Sequence, residues 1–75
     1  MNDVQNTLNT FFKKNREMVE ASVSAVAPNA LDEILKLKDN FDAEKNKKGG
    51  CSACRLRGLM RKYTPLVEKL IRENK

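Results

Sequence analysis

The chain has no histidine and no tryptophan, and only one tyrosine, three phenylalanines and two cysteines among its 75 residues. Without histidine, the commonest general base and the commonest metal ligand are missing. Ser–His–Asp and Cys–His nucleophile systems are therefore excluded. Paired carboxylates remain for acid–base work, but so short a chain offers no cleft-sized frame to shift their pKa values. A non-enzymatic protein with no small-molecule substrate is expected. No apolar run approaches the roughly 18 residues of a membrane span. The opening Met1-Asn2-Asp3 lacks the basic segment and apolar run of a secretory signal. Two cysteines are too few for a secreted disulfide scaffold. Together these point to a reducing, cytoplasmic setting.

The shortage of aromatics also constrains the fold. A core built without Trp must come from Leu, Ile, Val, Met and Ala, and with abundant Glu and Lys this composition favours helices. β-branched residues never alternate with polar ones over a useful length, so no strand is expected. A chain of this size buries only about 60–65% of its unfolded surface, and such small cores are often supplemented by a metal, a disulfide or a second copy. No internal repeat is present. The expected fold is all-α: a helical hairpin plus a C-terminal helix kinked or broken at proline, a small bundle of three to four helices forming one domain.

Residues 3–44 read as an acidic helical hairpin. Val4, Leu8, Phe11, Phe12, Met18, Val19, Val23 and Val26 gather on one face at about 100° per residue, predicting a first helix over residues 3–26. Asn2 or Asp3 is suited to cap its start. Asn15 and Ser22 interrupt the stripe, which argues for ordinary helix packing over a coiled coil. Pro28 ends this helix, and Asn29 is placed to cap the next. Asp32 and Glu33 then sit where the helix dipole favours acids. The second helix is expected over about residues 30–43, burying Leu31, Ile34, Leu35, Leu37 and Phe41. Residues 45–50, Lys-Asn-Lys-Lys-Gly-Gly, read as a basic linker.

Residues 51–74 read as a basic amphipathic segment. Leu56, Leu59, Met60, Tyr63, Leu66, Val67, Leu70 and Ile71 form a continuous apolar stripe for packing or for an interface. Thr64-Pro65 interrupts it: proline in a helix interior costs about 3 kcal/mol, whereas Thr at an N-cap followed by Pro at the first helical position is favourable. A kink or a one-residue break is expected there.

Charge is unevenly placed. Up to Glu44 there are five basic and eight acidic residues, net −3; from Lys45 onward there are ten basic and two acidic, net +8. Lys47, Lys48, Arg55, Arg57, Arg61 and Lys62 form the densest part of the basic half. Such a patch attracts polyanions, and its arginines suit bidentate phosphate contacts. Nucleic acid or an acidic protein surface is the expected partner; a merely solvated face, or the acidic half of another copy, is the plainer alternative. Base stacking has little support because only Tyr63 interleaves the basic residues. A recognition helix after a tight turn is not apparent either.

Cys51-Ser52-Ala53-Cys54 follows two glycines and opens the last helix. Two thiolates at this spacing make half of a tetrahedral zinc site. The chain has no second pair, so a homodimer or a partner would have to complete it. A helix N-terminus beside Arg55 and Arg57 also suits thiol–disulfide chemistry, although redox pairs of this kind normally sit on a βαβ frame. Simple small side chains are the third reading. The run Gly-Gly-Cys-Ser-Ala-Cys-Arg-Leu-Arg-Gly-Leu-Met-Arg-Lys-Tyr-Thr-Pro-Leu-Val over residues 49–67 resembles short accessory proteins of tailed bacteriophages. The resemblance implies a setting in an infected bacterial cytoplasm and assigns no role to any residue.

Overall fold

A computed structural model describes residues 2–47 and 52–74. These residues form four α-helices and one short 3-10 turn: α1 (Asn2–Lys13), α2 (Arg16–Val26), the turn Pro28–Ala30, α3 (Leu31–Lys45) and α4 (Ser52–Glu73). The fold is all-α, and no strand occurs among the described residues. Helix α1 packs on α2 and α4, and α3 packs on α2 and α4, so the helices close into a ring around one core. At 1.5 Å per residue the 22-residue α4 spans about 33 Å, most of the molecule's 37 Å length. It is the spine against which the shorter helices lie.

The predicted single helix over 3–26 is two helices. Asn15 has extended backbone (φ −80°, ψ 174°) and its side chain accepts a hydrogen bond from the Met18 amide at 3.0 Å, capping α2. Asn in this role satisfies one of the amides that a helix start leaves orphaned. An unbroken rod would carry Phe11 and Val23 far apart along one axis. The break lets Leu8 and Phe11 of α1 and Val19 and Val23 of α2 fold onto the same core.

Pro28 does end α2, but Asn29 does not cap α3. It is exposed, and α3 is preceded by Ala30 with no side-chain cap. The 3-10 turn takes over that task, with the Ala30 amide donating to the Ala27 carbonyl at 3.0 Å. Ala27 and Ala30 are both buried; their small side chains let the turn press against the core. On α1, buried Thr7 is satisfied within its own helix, its Oγ1 donating to the Asp3 carbonyl at 2.8 Å.

Helix α4 runs through Pro65 without a break, and Thr64 lies inside it and caps nothing. Leu59, Tyr63, Val67 and Ile71, four residues apart in succession, are all buried, so packing on both sides of the proline keeps the helix unbroken. Pro65 is exposed. The Arg61 carbonyl that loses its partner four residues on therefore lies on the solvent side of the helix, where water can satisfy it.

All four aromatic side chains meet in one cluster. The Phe41 ring of α3 lies 6.0 Å from Phe11 and 5.0 Å from Phe12 of α1, and 6.2 Å from Tyr63 of α4. Phe12 and Tyr63 meet Phe41 edge to face, a geometry that adds attraction beyond area burial, and Phe11 lies tilted to it. A scarce residue type thus ties three helices together at one point.

Candidate functional site

The charged residues fall into two populations. Those around the aromatic cluster are engaged inside the fold. Lys38 is 2% exposed, yet it lies on the core side of α3. Its ammonium sits 3.1 Å from Asp42 Oδ1 and over the Phe11 and Phe41 rings, at 5.9 and 5.5 Å from their centroids. Burying an ammonium is costly unless it is paired; here a carboxylate and two ring faces compensate it. Asp42 Oδ1 makes no hydrogen bond of good geometry. Its compensation is the charge of Lys38 and of Lys45 at 3.7 Å. The Tyr63 hydroxyl donates to Glu44 Oε2 at 2.8 Å. Burial, then the hydrogen bond and negative charge of Glu44, raise the Tyr63 pKa above its ordinary 10.0, because all three disfavour a phenolate. Arg16 and Asp39 link α2 to α3 at 3.4 Å.

Helix α4 is different. Arg57, Arg61 and Lys62 are exposed. Among the described residues, Arg57 and Arg61 have no ion-pair partner, and Lys62 rests over the Tyr63 ring at 5.3 Å from its centroid. Arg57 and Arg61 are one helical turn apart and flank a shallow groove of about 460 Å³ whose other walls are Met60, Thr64 and Pro65. Neighbouring guanidiniums over a part-apolar floor make an electropositive concavity. Among the described residues no carboxylate lines it. Arg55 differs: it is half-buried and its Nη1 donates to the Lys47 carbonyl at 2.6 Å, tying the start of α4 to the chain just after α3. Lys47 is exposed.

The apolar stripe divides. Leu59, Tyr63, Val67 and Ile71 are core; Leu56, Met60 and Leu70 are half-buried against it. Leu66 is 44% exposed and lines a second groove, between α3 and α4, with Leu37 and Leu70. Eight apolar positions on one helix face are more than a single core row can cover, so Leu66 at the edge of the stripe reaches solvent.

Cys54 is exposed in the first turn of α4. Cys51 and Lys48 lie outside the described residues, so the geometry of the Cys-x-x-Cys pair is not part of the described structure. Among the described residues, no three His, Cys, Asp or Glu side chains gather as a metal-ligand group.

Lys38 and Asp42 were not singled out from the sequence. The signal was present: Lys38 falls at the i+4 step between Ile34 and Phe41 in the buried row of α3, with an acid one turn on. Comparison of this chain with family models, with curated proteins and with solved structures finds no match. No helix among the described residues is long and apolar enough to cross a membrane.

Proposed function

We propose that this protein is a non-enzymatic accessory protein that docks on nucleic acid through the basic outer face of α4, with Arg57, Arg61 and Lys62 contacting phosphates. The observation that carries this reading is the pair of exposed arginines, one turn apart, with no internal ion-pair partner among the described residues. Four other cations are held by carboxylates, Lys38 and Lys45 by Asp42, Arg16 by Asp39 and Arg72 by Glu68, whereas Arg57 and Arg61, like several exposed lysines, have no ion pair among the described residues. Guanidiniums left unpaired on one helix face suit bidentate contact with a phosphate backbone. No aromatic side chain accompanies them on that face, so the contact is to backbone and not to stacked bases. The cytoplasm fits this reading; with the phage resemblance, so does that of an infected bacterium.

Titration of duplex DNA by fluorescence anisotropy at several salt concentrations tests it. Three phosphate contacts give a slope of log K against log salt of about −3. Arg57→Glu with Arg61→Glu should remove most of that slope and weaken binding at least tenfold. Unchanged binding in the double variant, or binding to polyglutamate with none to DNA, would reject nucleic acid as the partner.

Cys51 and Cys54 are proposed to hold zinc, shared between two copies or completed by a partner; both thiolates are of the ligand type that zinc prefers. Native mass spectrometry of protein purified without chelator, followed by Cys54→Ser, tests that assignment: a dimer carrying one zinc that vanishes in the variant supports it, and metal-free protein rejects it.

A second reading, a protein-interaction module, is favoured by one specific observation: exposed Leu66 beside half-buried Leu37 and Leu70 in the groove between α3 and α4. Isolated surface leucines need no explanation, but grouped ones in a concavity mark contact sites.

A further inference from the structure

We propose that the α3–α4 groove is the site at which a second copy of this chain packs, in an antiparallel, two-fold arrangement. The proposal rests on the interaction-module reading and gives it an occupant. The groove measures about 460 Å³, and its floor is Leu37, Leu66 and Leu70. Its rim carries four exposed charges, Glu33 and Lys36 from α3, Lys69 and Glu73 from α4. Among the described residues none of these four has an ion-pair partner, although each has an opposite charge on its own helix one turn away.

The pattern of the rim selects the partner. It holds two positive and two negative groups, so it is neutral, although α4 on one side of it is otherwise strongly basic. A polyanion would meet Glu33 and Glu73, and a strongly basic partner would meet Lys36 and Lys69. A copy of the same face meets neither penalty. Reversing the direction of one copy sets Glu33 and Lys36 against Lys36 and Glu33 of the other, and Lys69 and Glu73 against their counterparts in the same way. Each charge then faces its opposite, and the leucines are enclosed between the two faces. A two-fold interface requires this self-complementarity, and two helices of each copy packing face to face give a four-helix contact of a familiar kind. Helical geometry also keeps this surface apart from the two arginines, while Lys62, one turn before Leu66, shares its flank. At 100° per residue, Leu66, Lys69 and Glu73 lie on the flank of α4 opposite Arg57 and Thr64. A dimer formed here leaves both arginine faces open.

The test is sedimentation equilibrium of the full chain, in chelator so that zinc cannot bridge two copies, from micromolar to millimolar protein. The wild type should reach twice the chain mass. One variant carries Glu33→Lys and Glu73→Lys; another carries Lys36→Glu and Lys69→Glu. Each should be monomeric alone, because its rim then has one sign, and the two mixed should form a heterodimer. All four positions are exposed, and circular dichroism verifies that helicity is retained. Leu66→Glu should also give a folded monomer. A wild type that stays monomeric at millimolar concentration overturns the proposal. So does a dimer that persists in both charge variants. A monomer that still binds a hydrophobic dye, and loses that binding in Leu66→Glu, overturns the dimer but keeps the interaction-module reading; a monomer that binds no dye ends both.

Discussion

Two regions of this small bundle use charge in opposite ways. Around the aromatic cluster, Lys38, Asp42, Glu44 and Lys45 are engaged with one another, with ring faces or with the Tyr63 hydroxyl. Along the outside of α4, Arg57 and Arg61 stand exposed with no internal ion-pair partner among the described residues. Burial makes the difference. An ion in a low-dielectric site must be compensated locally or the fold fails, so buried charge belongs to stability. An exposed cation is already solvated by water, so leaving it unpaired costs the fold little. The first population holds the helices together, and the second is available to a partner. Substitutions in the two regions should therefore separate stability from binding.

Lys38→Ala should have the largest effect on folding. It removes a buried side chain packed on Phe11 and Phe41 and weakens the compensation of Asp42, at an expected loss of about 3 kcal/mol in urea denaturation. Lys38→Met should recover part of that loss, because Met fills the volume and Asp42 keeps Lys45. If Lys38→Ala unfolds at the wild-type midpoint, the claim that this region's charge is structural fails.

Tyr63→Phe comes next. It deletes the hydrogen bond to Glu44 at an expected cost of about 1 kcal/mol. It also predicts a pH effect with a definite sign. The folded-state pKa of Tyr63 is raised, so the native state holds the phenolic proton more tightly than the unfolded chain. That contribution is fully present below the unfolded value of 10.0 and fades as pH rises through the higher folded value. Thermal melts between neutral pH and above 10 should show wild-type stability falling more steeply than that of Tyr63→Phe. Parallel curves would show that the hydroxyl is not coupled to folding.

Gly58→Ala should act in the other direction. Gly58 lies within α4, and a Cβ built there meets nothing within 4 Å. The replacement should stabilise the helix by about 0.5–1 kcal/mol. If the same variant weakens DNA binding, the open space at Gly58 serves close approach of the ligand. The smallest effect on folding is expected from Arg57→Glu with Arg61→Glu, within about 0.5 kcal/mol of wild type, although this pair should matter most for binding. A large loss of stability there would erase the contrast between the two regions.

Parts of this organisation were legible in residue order. The 100° periodicity of Leu59, Tyr63, Val67 and Ile71 identified the buried row of α4, and Pro28 marked the end of α2. Other parts were not. Asn15 read as an interruption in one helix, because a polar residue in a stripe and a helix cap look the same until the chain folds back. Thr64-Pro65 read as a kink or a fresh start, because propensity ranks proline without knowing that buried residues on either side will keep the helix from breaking. Arg55 belonged with its basic neighbours by sequence, yet the Lys47 carbonyl lies within its reach.

By itself, the sequence determined the helical class, the polarity of charge between the two halves and the absence of any histidine chemistry, since composition and periodicity settle these without reference to distant contacts. The tertiary structure alone decided which cations are consumed within the fold and which face outward, because pairing depends on residues from different helices coming within a few ångströms. Lys38 and Arg57 are equally basic in sequence. One is enclosed by Phe11, Phe41 and Asp42 and the other faces water, and only the closing of the helix ring around the aromatic cluster makes them different.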